Sequence, residues 1–168
     1  MRFVLVRRFQ ANDARRVWAL NNLPNVGFTA DPSLPLELPL PPQPPSNFPD
    51  LADIEASFIR AGGDFLVIEI DRHLIGMGGI RPTAGRRVEV LRVRVHPAMR
   101  RRGIGRTLMA ALERRAAELG ARELHLDTAT NQPEAVKFYR GIGYEEVGQK
   151  TQPTWNWRLV YFAKRLSR

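Results

Sequence analysis

The chain has 168 residues, 43% of them hydrophobic and none of them cysteine, with a formal net charge of +9. This suffices for one core of ordinary domain size, while the missing cysteine excludes a disulfide framework and no apolar run approaches membrane-spanning length. The positive charge invites a nucleic-acid reading, but the arginines run along the whole chain without an aromatic-interleaved basic module, so nucleic acid is not the expected partner.

The first nine residues are basic and apolar, yet the apolar part is too short for a secretion signal, and residues 3–9 read as a strand. With no cysteine to argue for export, a cytoplasmic location is expected and no membrane. A helix is expected over Asp13–Leu20, capped by Asn12, with Ala14, Val17 and Trp18 on one face. Between residues 31 and 49 fall Pro32, Pro35, Pro39, Pro41, Pro42, Pro44, Pro45 and Pro49, which exclude a helix or central strand and predict an extended segment. Its Leu34, Leu36, Leu38, Leu40 and Phe48 suit a binding-site wall, a strap over the core or a homodimer contact, and these stay open. Asp50 can cap a helix through Arg60 with Leu51, Ile54 and Phe58 facing inward and Gly62-Gly63 closing it.

Asp64–Ile70 and Leu74–Arg81 then read as a hairpin around Asp71-Arg72-His73, followed by a strand over Arg87–Val95. Strict alternation puts Glu89, Leu91, Val93 and Val95 on one face of that strand and Val88, Val90, Arg92 and Arg94 on the other. A bulge would disturb this parity. After the strand comes Val95-His-Pro-Ala-Met-Arg-Arg-Arg-Gly-Ile-Gly105, a basic turn opening the helix of Ile104, Leu108, Leu112, Ala116 and Leu119. Gly103 and Gly105 remove side chains where backbone N–H groups must approach a ligand, and the helix start favours anions. The turn lacks the Gly-Lys-Ser/Thr of a triphosphate loop, and Leu108 stands where a dinucleotide fingerprint needs a third glycine. A diphosphate ligand fits, as does plain packing. A strand over Glu123–Thr128, a helix over Asn131–Arg140 with Pro133 in its first turn, and a pair formed by Glu145–Lys150 and Trp157–Lys164 complete the order.

Arg100, Gly103 and Gly105 after Val95-His96-Pro97, followed by Asn131, Ala135, Phe138, Tyr139, Gly143 and Tyr144, resemble the two signatures of the GNAT superfamily of acetyl-coenzyme A-dependent N-acetyltransferases. One extra residue precedes the alanine of the second signature, and the likeness covers roughly residues 64–165. It implies one α/β domain over residues 1–168, with a mixed, mostly antiparallel sheet splayed at the cofactor site and flanked by helices. It further implies acetyl transfer from acetyl-CoA to a primary amine of a small molecule or peptide in a ternary complex. The alternative is a catalytically silent domain of the same fold that senses CoA or binds protein or RNA.

The resemblance also distributes roles. Arg100, Arg101, Arg102, Gly103, Ile104, Gly105 and Arg106 would hold the diphosphate, Val93 and Val95 would offer backbone N–H groups to the thioester carbonyl, and Asn131 would bond the cofactor or cap its helix. Tyr139 would protonate the departing thiolate. Glu89 would act as the general base if its apolar face raises its pKa, or pair with an arginine for structure. Without cysteine, a ping-pong route through an acyl-cysteine is excluded. His73, His96 and His125 are dispersed, so no metal site is expected. The acceptor stays open among antibiotic, polyamine, amino acid and peptide amines.

Overall fold

The computed structural model describes residues 3–23 and 30–167. Seven strands are described: β1 (Val4–Arg8), β2 (Asp64–Ile70), β3 (His73–Thr83), β4 (Arg87–Val95), β5 (Glu123–Ala129), β6 (Glu145–Lys150) and β7 (Leu159–Arg165). They form one sheet in the order β1-β2-β3-β4-β5-β7-β6, in which β4 and β5 are parallel and every other neighbouring pair is antiparallel. Three α-helices flank it: α1 (Ala14–Asn21), α2 (Ile104–Glu118) and α3 (Pro133–Gly141). The mixed sheet that the resemblance implied is therefore present. Among the described residues no helix is long and apolar enough to cross a membrane.

Alternation along β2 builds two cores. Leu66, Ile68 and Ile70 pack with the α2 stripe of Ile104, Leu108, Leu112 and Ala116, while Phe65 and Val67 face Val17 and Leu20 of α1 together with Leu51, Ile54 and Phe58. Each fully buried leucine or isoleucine of the α2 stripe contributes about 1.5–3 kcal/mol, so the helix is held to the sheet along its whole length. The β2–β3 turn is tight because Asp71 and Arg72 both adopt positive φ, 49° and 68°, as two-residue hairpins require.

Several arginines are tied to buried carboxylates. Asp13 is fully buried and receives Arg7 at 2.8 Å and Arg16 at 2.6 Å, while buried Asp64 joins Arg8 of β1 to Arg115 of α2 at 2.8 and 2.7 Å. Removing one partner from such a cluster would strand a buried charge.

Two sequence expectations change. The turn before α1 is closed by Asp13, whose carboxylate accepts from the Gln10 N–H at 2.8 Å, and not by Asn12. Residues 49–60 do not form an α-helix capped by Asp50; a 3-10 turn at Pro49–Leu51 precedes a π-helical turn at Glu55–Ile59. The physical reason is long-range: Asp50 is drawn to Arg92 at 3.0 Å, while Asp53 accepts from the Ala56 N–H. The inward residues Leu51, Ile54 and Phe58 are nevertheless as expected.

The proline-rich segment is extended, as its prolines predict, and packs along both cores. Leu36 packs on the α2-side core, Leu38 and Phe48 on the other, and Arg15 donates to the carbonyls of Leu40 and Pro41. Buried His96 fastens it again: its Nδ1 accepts from the Ala98 N–H at 3.1 Å, so its Nε2 donates to the Pro35 carbonyl at 2.9 Å. Protonation would destroy the first of these bonds, and burial holds the imidazole pKa below its ordinary value.

Candidate active site

The site is built where the sheet parts. The parallel β4–β5 pairing extends only over Arg87–Glu89 against Glu123–His125, and beyond Glu89 the strands diverge. The β3–β4 register shifts between Met77 and Gly79, opposite Arg92, whose φ is +60°. This bulge corrects the parity expected of β4. Val88 and Val90 pack on the α2 side, and after the bulge so do Val93 and Val95, whereas Leu91 packs on the α1 side. Glu89 therefore does not share the face of Val93 and Val95.

The divergence opens a cavity of about 780 Å³, a size typical of small-molecule sites. Its walls are β4 from Val90 to Val95, β5 from Leu126 to Ala129, the loop Met99–Arg106 and α3, with Ala30 and Trp157 at its margins. Trp157 stacks on Trp155 with ring centroids 4.0 Å apart. Of the residues singled out in the sequence, Val93, Val95, Arg100, Arg101, Gly103, Ile104, Gly105, Arg106 and Tyr139 line this cavity. Glu89, Arg102 and Asn131 lie outside its lining; Arg102 and Asn131 are exposed, and the residue that caps α3 in the backbone sense is Gln132, without a side-chain cap.

The loop explains its own sequence. His96 caps a 3-10 turn over Pro97–Met99, the chain extends at Arg100, and Arg101 and Gly103 take positive φ of 62° and 80° before α2 begins. A Cβ at Gly103 would meet no atom within 4 Å, so glycine stands there for its backbone conformation. Gly105 serves a different purpose from the one its spacing suggests: a Cβ there would lie 3.1 Å from the Phe138 ring. The missing side chain lets the first turn of α2 rest on α3. Since no side chain caps α2, its first N–H groups are available to an anion, ringed by Arg100, Arg101 and Arg106.

Two titratable groups line the cavity. Tyr139 is 8% exposed, and burial, then the charge of Asp127, pushes its phenol well above the ordinary range. Its ring is held at centroid distances of 5.2, 5.8 and 6.2 Å from Phe138, Tyr144 and Phe162. Asp127 of β5 is exposed, yet partial desolvation of its carboxyl, and then the charge of Glu89, hold it above the usual range. Glu89 faces Arg81 at 3.5 Å. The sequence did not single out Asp127 as a base; it stands two residues beyond His125, the β5 partner of Glu89. Phe138 both packs against the α2-side core and lines the cavity.

The cations are unevenly satisfied. Arg92 reaches Asp50 and stacks its guanidinium 4.6 Å above the Phe48 ring, and Arg100 donates to the Val95 carbonyl at 3.3 Å. Burial lowers the pKa of Arg100; at Arg94 burial and then the charges of Arg100 and Arg92 act in the same direction.

Residues 32–144 match the acetyltransferase (GNAT) family. N-acetyltransferase 8F1 of Rattus norvegicus is 32% identical over 116 residues, which are 66% of this chain and 52% of the rat protein. The chain thus spans about half the length of the curated relatives it matches. Among solved structures, a GNAT-family acetyltransferase of Staphylococcus aureus Mu50 superimposes with a TM-score of 0.76 at 15% identity, covering 98% of this chain and 100% of that one. The Salmonella typhimurium protein yncA, solved with its cofactor acetyl-CoA, does so with a TM-score of 0.71 at 18% identity, covering 98% and 94%.

Proposed function

The chain belongs to the GNAT acetyltransferase family, and from that membership we propose that it moves the acetyl group of acetyl-CoA directly to a primary amine. The observation that carries this reading is the parting of β4 from β5 beside the uncapped start of α2. One continuous cavity there joins an anion-binding loop to a buried phenol and a carboxylate. The donor fits the residues present. A diphosphate suits the N–H groups of Gly103–Arg106 with the guanidinium groups of Arg100, Arg101 and Arg106, and the apolar lining of Val90, Val93, Val95, Leu126 and Phe138 suits the pantetheine arm.

Bound acetyl-CoA supplies an activated thioester. The backbone N–H groups of β4 near Val93 and Val95, released from pairing with β5, orient the thioester carbonyl and stabilise charge developing on its oxygen. Asp127 accepts a proton from the incoming ammonium, a task favoured by its raised pKa. Glu89 acts through its charge on Asp127 rather than on the amine. Tyr139, protonated throughout the neutral range, gives its proton to the departing sulfur and keeps water away from it.

The test is amine-dependent release of free thiol from acetyl-CoA across a panel of amino acids, amino acid amides, polyamines, aminoglycosides and peptides. Release that rises with one amine class supports the reading. Binding of acetyl-CoA with no release above the amine-free rate for any class would contradict it.

A further inference from the structure

Arg94 stands out among the arginines that are withdrawn from solvent. Arg7, Arg16, Arg87, Arg92 and Arg115 each reach a carboxylate within 3.0 Å. Arg94 is partly buried in the cavity wall, and among the described residues it has neither an ion pair nor a hydrogen-bond partner. Its charged neighbours are Arg92 and Arg100, and the first of these is already occupied by Asp50. A guanidinium withdrawn from water beside two like charges is costly unless an anion completes it. The deficit is local and lies inside the candidate active site.

Position decides which anion. The donor's diphosphate is accounted for by the loop and the start of α2, on the face to which Val93 and Val95 point. Alternation after the bulge turns Arg94 away from the face of Val93 and Val95 while it still lines the same cavity. A planar guanidinium binds a carboxylate through two parallel N–H bonds.

Resting on the acetyltransferase reading, we propose that the acceptor is an amine that also carries a carboxylate, such as a free amino acid or a small amino acid conjugate. Arg94 binds that carboxylate and thereby sets specificity. The amine then points toward Asp127, and the positive field of Arg92, Arg94 and Arg100 disfavours polyamines and aminoglycosides.

The experiment compares matched acceptors, free amino acids and their amides, with the wild-type chain, Arg94→Gln and Arg94→Lys. The wild type is expected to favour the acid over its amide in kcat/KM by about 10-fold or more. Arg94→Gln should collapse that ratio toward one through KM, Arg94→Lys should restore part of it, and calorimetric affinity for acetyl-CoA should hold in both variants. A wild type that prefers the amide, a variant that keeps the preference, or a preference for an aminoalkyl phosphate over the carboxylate would overturn the assignment. So would loss of acetyl-CoA affinity in Arg94→Gln, which would give Arg94 to a cofactor phosphate instead. Calorimetric binding of an N-acetyl amino acid against its amide, with CoA present, reads the same discrimination without turnover. Selective binding of the acid, lost in Arg94→Gln, supports the Arg94 assignment even if thiol release fails; no selectivity overturns it even if thiol release succeeds.

Discussion

Removing one oxygen from Tyr139 separates its chemistry from its packing. The ring sits among Phe138, Tyr144 and Phe162 at distances that phenylalanine reproduces, so Tyr139→Phe leaves the α3–β7 contact in place. The phenol is buried, so its deletion also removes a desolvated polar group, and the stability change should stay within about 1 kcal/mol. General-acid catalysis contributes about 10²–10⁴-fold. A thiol with an ordinary pKa of about 8.5 already leaves fairly well as thiolate, which places the expected loss near the lower end, about 10²-fold or about 2.7 kcal/mol of barrier. Thiol capture at saturating acetyl-CoA and acceptor gives kcat; varying the acceptor gives kcat/KM. Both should fall together, since the interaction forms only as the thioester breaks. Because the wild-type phenol is held far above neutrality, it should impose no alkaline limb on the pH profile below about pH 10. A Tyr139→Phe protein that folds, binds acetyl-CoA and keeps kcat within about twofold of wild type would refute the acid role.

Asp127→Asn should lower kcat by about 10²-fold and abolish the acidic limb of the rate profile, since activity otherwise rises as this raised-pKa group loses its proton; a variant retaining the limb would point elsewhere for the base. Its melting temperature at neutral pH should stay level or rise, because a carboxyl held above its unfolded pKa folds more readily when uncharged. Gly105→Val drives side-chain carbon into the Phe138 ring and should cost about 1–3 kcal/mol of stability while weakening acetyl-CoA binding; unchanged calorimetric affinity would remove α2's first turn from the site. His96 has a folded pKa below its unfolded value, so its contribution is complete above about pH 6.5 and declines as pH falls from there toward the folded pKa. Thermal unfolding followed across that interval should show the decline, and a His96→Gln protein should show less of it.

What could be read in the sequence was whatever depends on neighbours along the chain. The strand Asp64–Ile70, the Asp71-Arg72 turn, the Ile104–Ala116 stripe and the basic turn before it all act within a few residues, and each lies where its pattern indicates. Contacts made across the fold were not legible. Asp50 looked like a helix cap until Arg92, 42 residues away, claimed it. The parity of β4 flipped at Arg92 because the bulge is fixed by pairing with β3. Gly105 answers to Phe138, and Asp127 and Tyr139 line one cavity only because the sheet parts between β4 and β5. The isolation of Arg94 is likewise a property of its surroundings: a sequence displays its charge but not the absence of a partner among the described residues.

Counting both products of one reaction tests the central claim most directly. Acetyl-CoA and the best amine of the panel are incubated with the protein, and free CoA thiol and N-acetylated amine are quantified together over time. Direct transfer predicts that the two appear in equal amounts from the first turnover, and that both cease when either substrate is withheld. Thiol released without acetylated amine, or no release from a protein that binds acetyl-CoA, would contradict it.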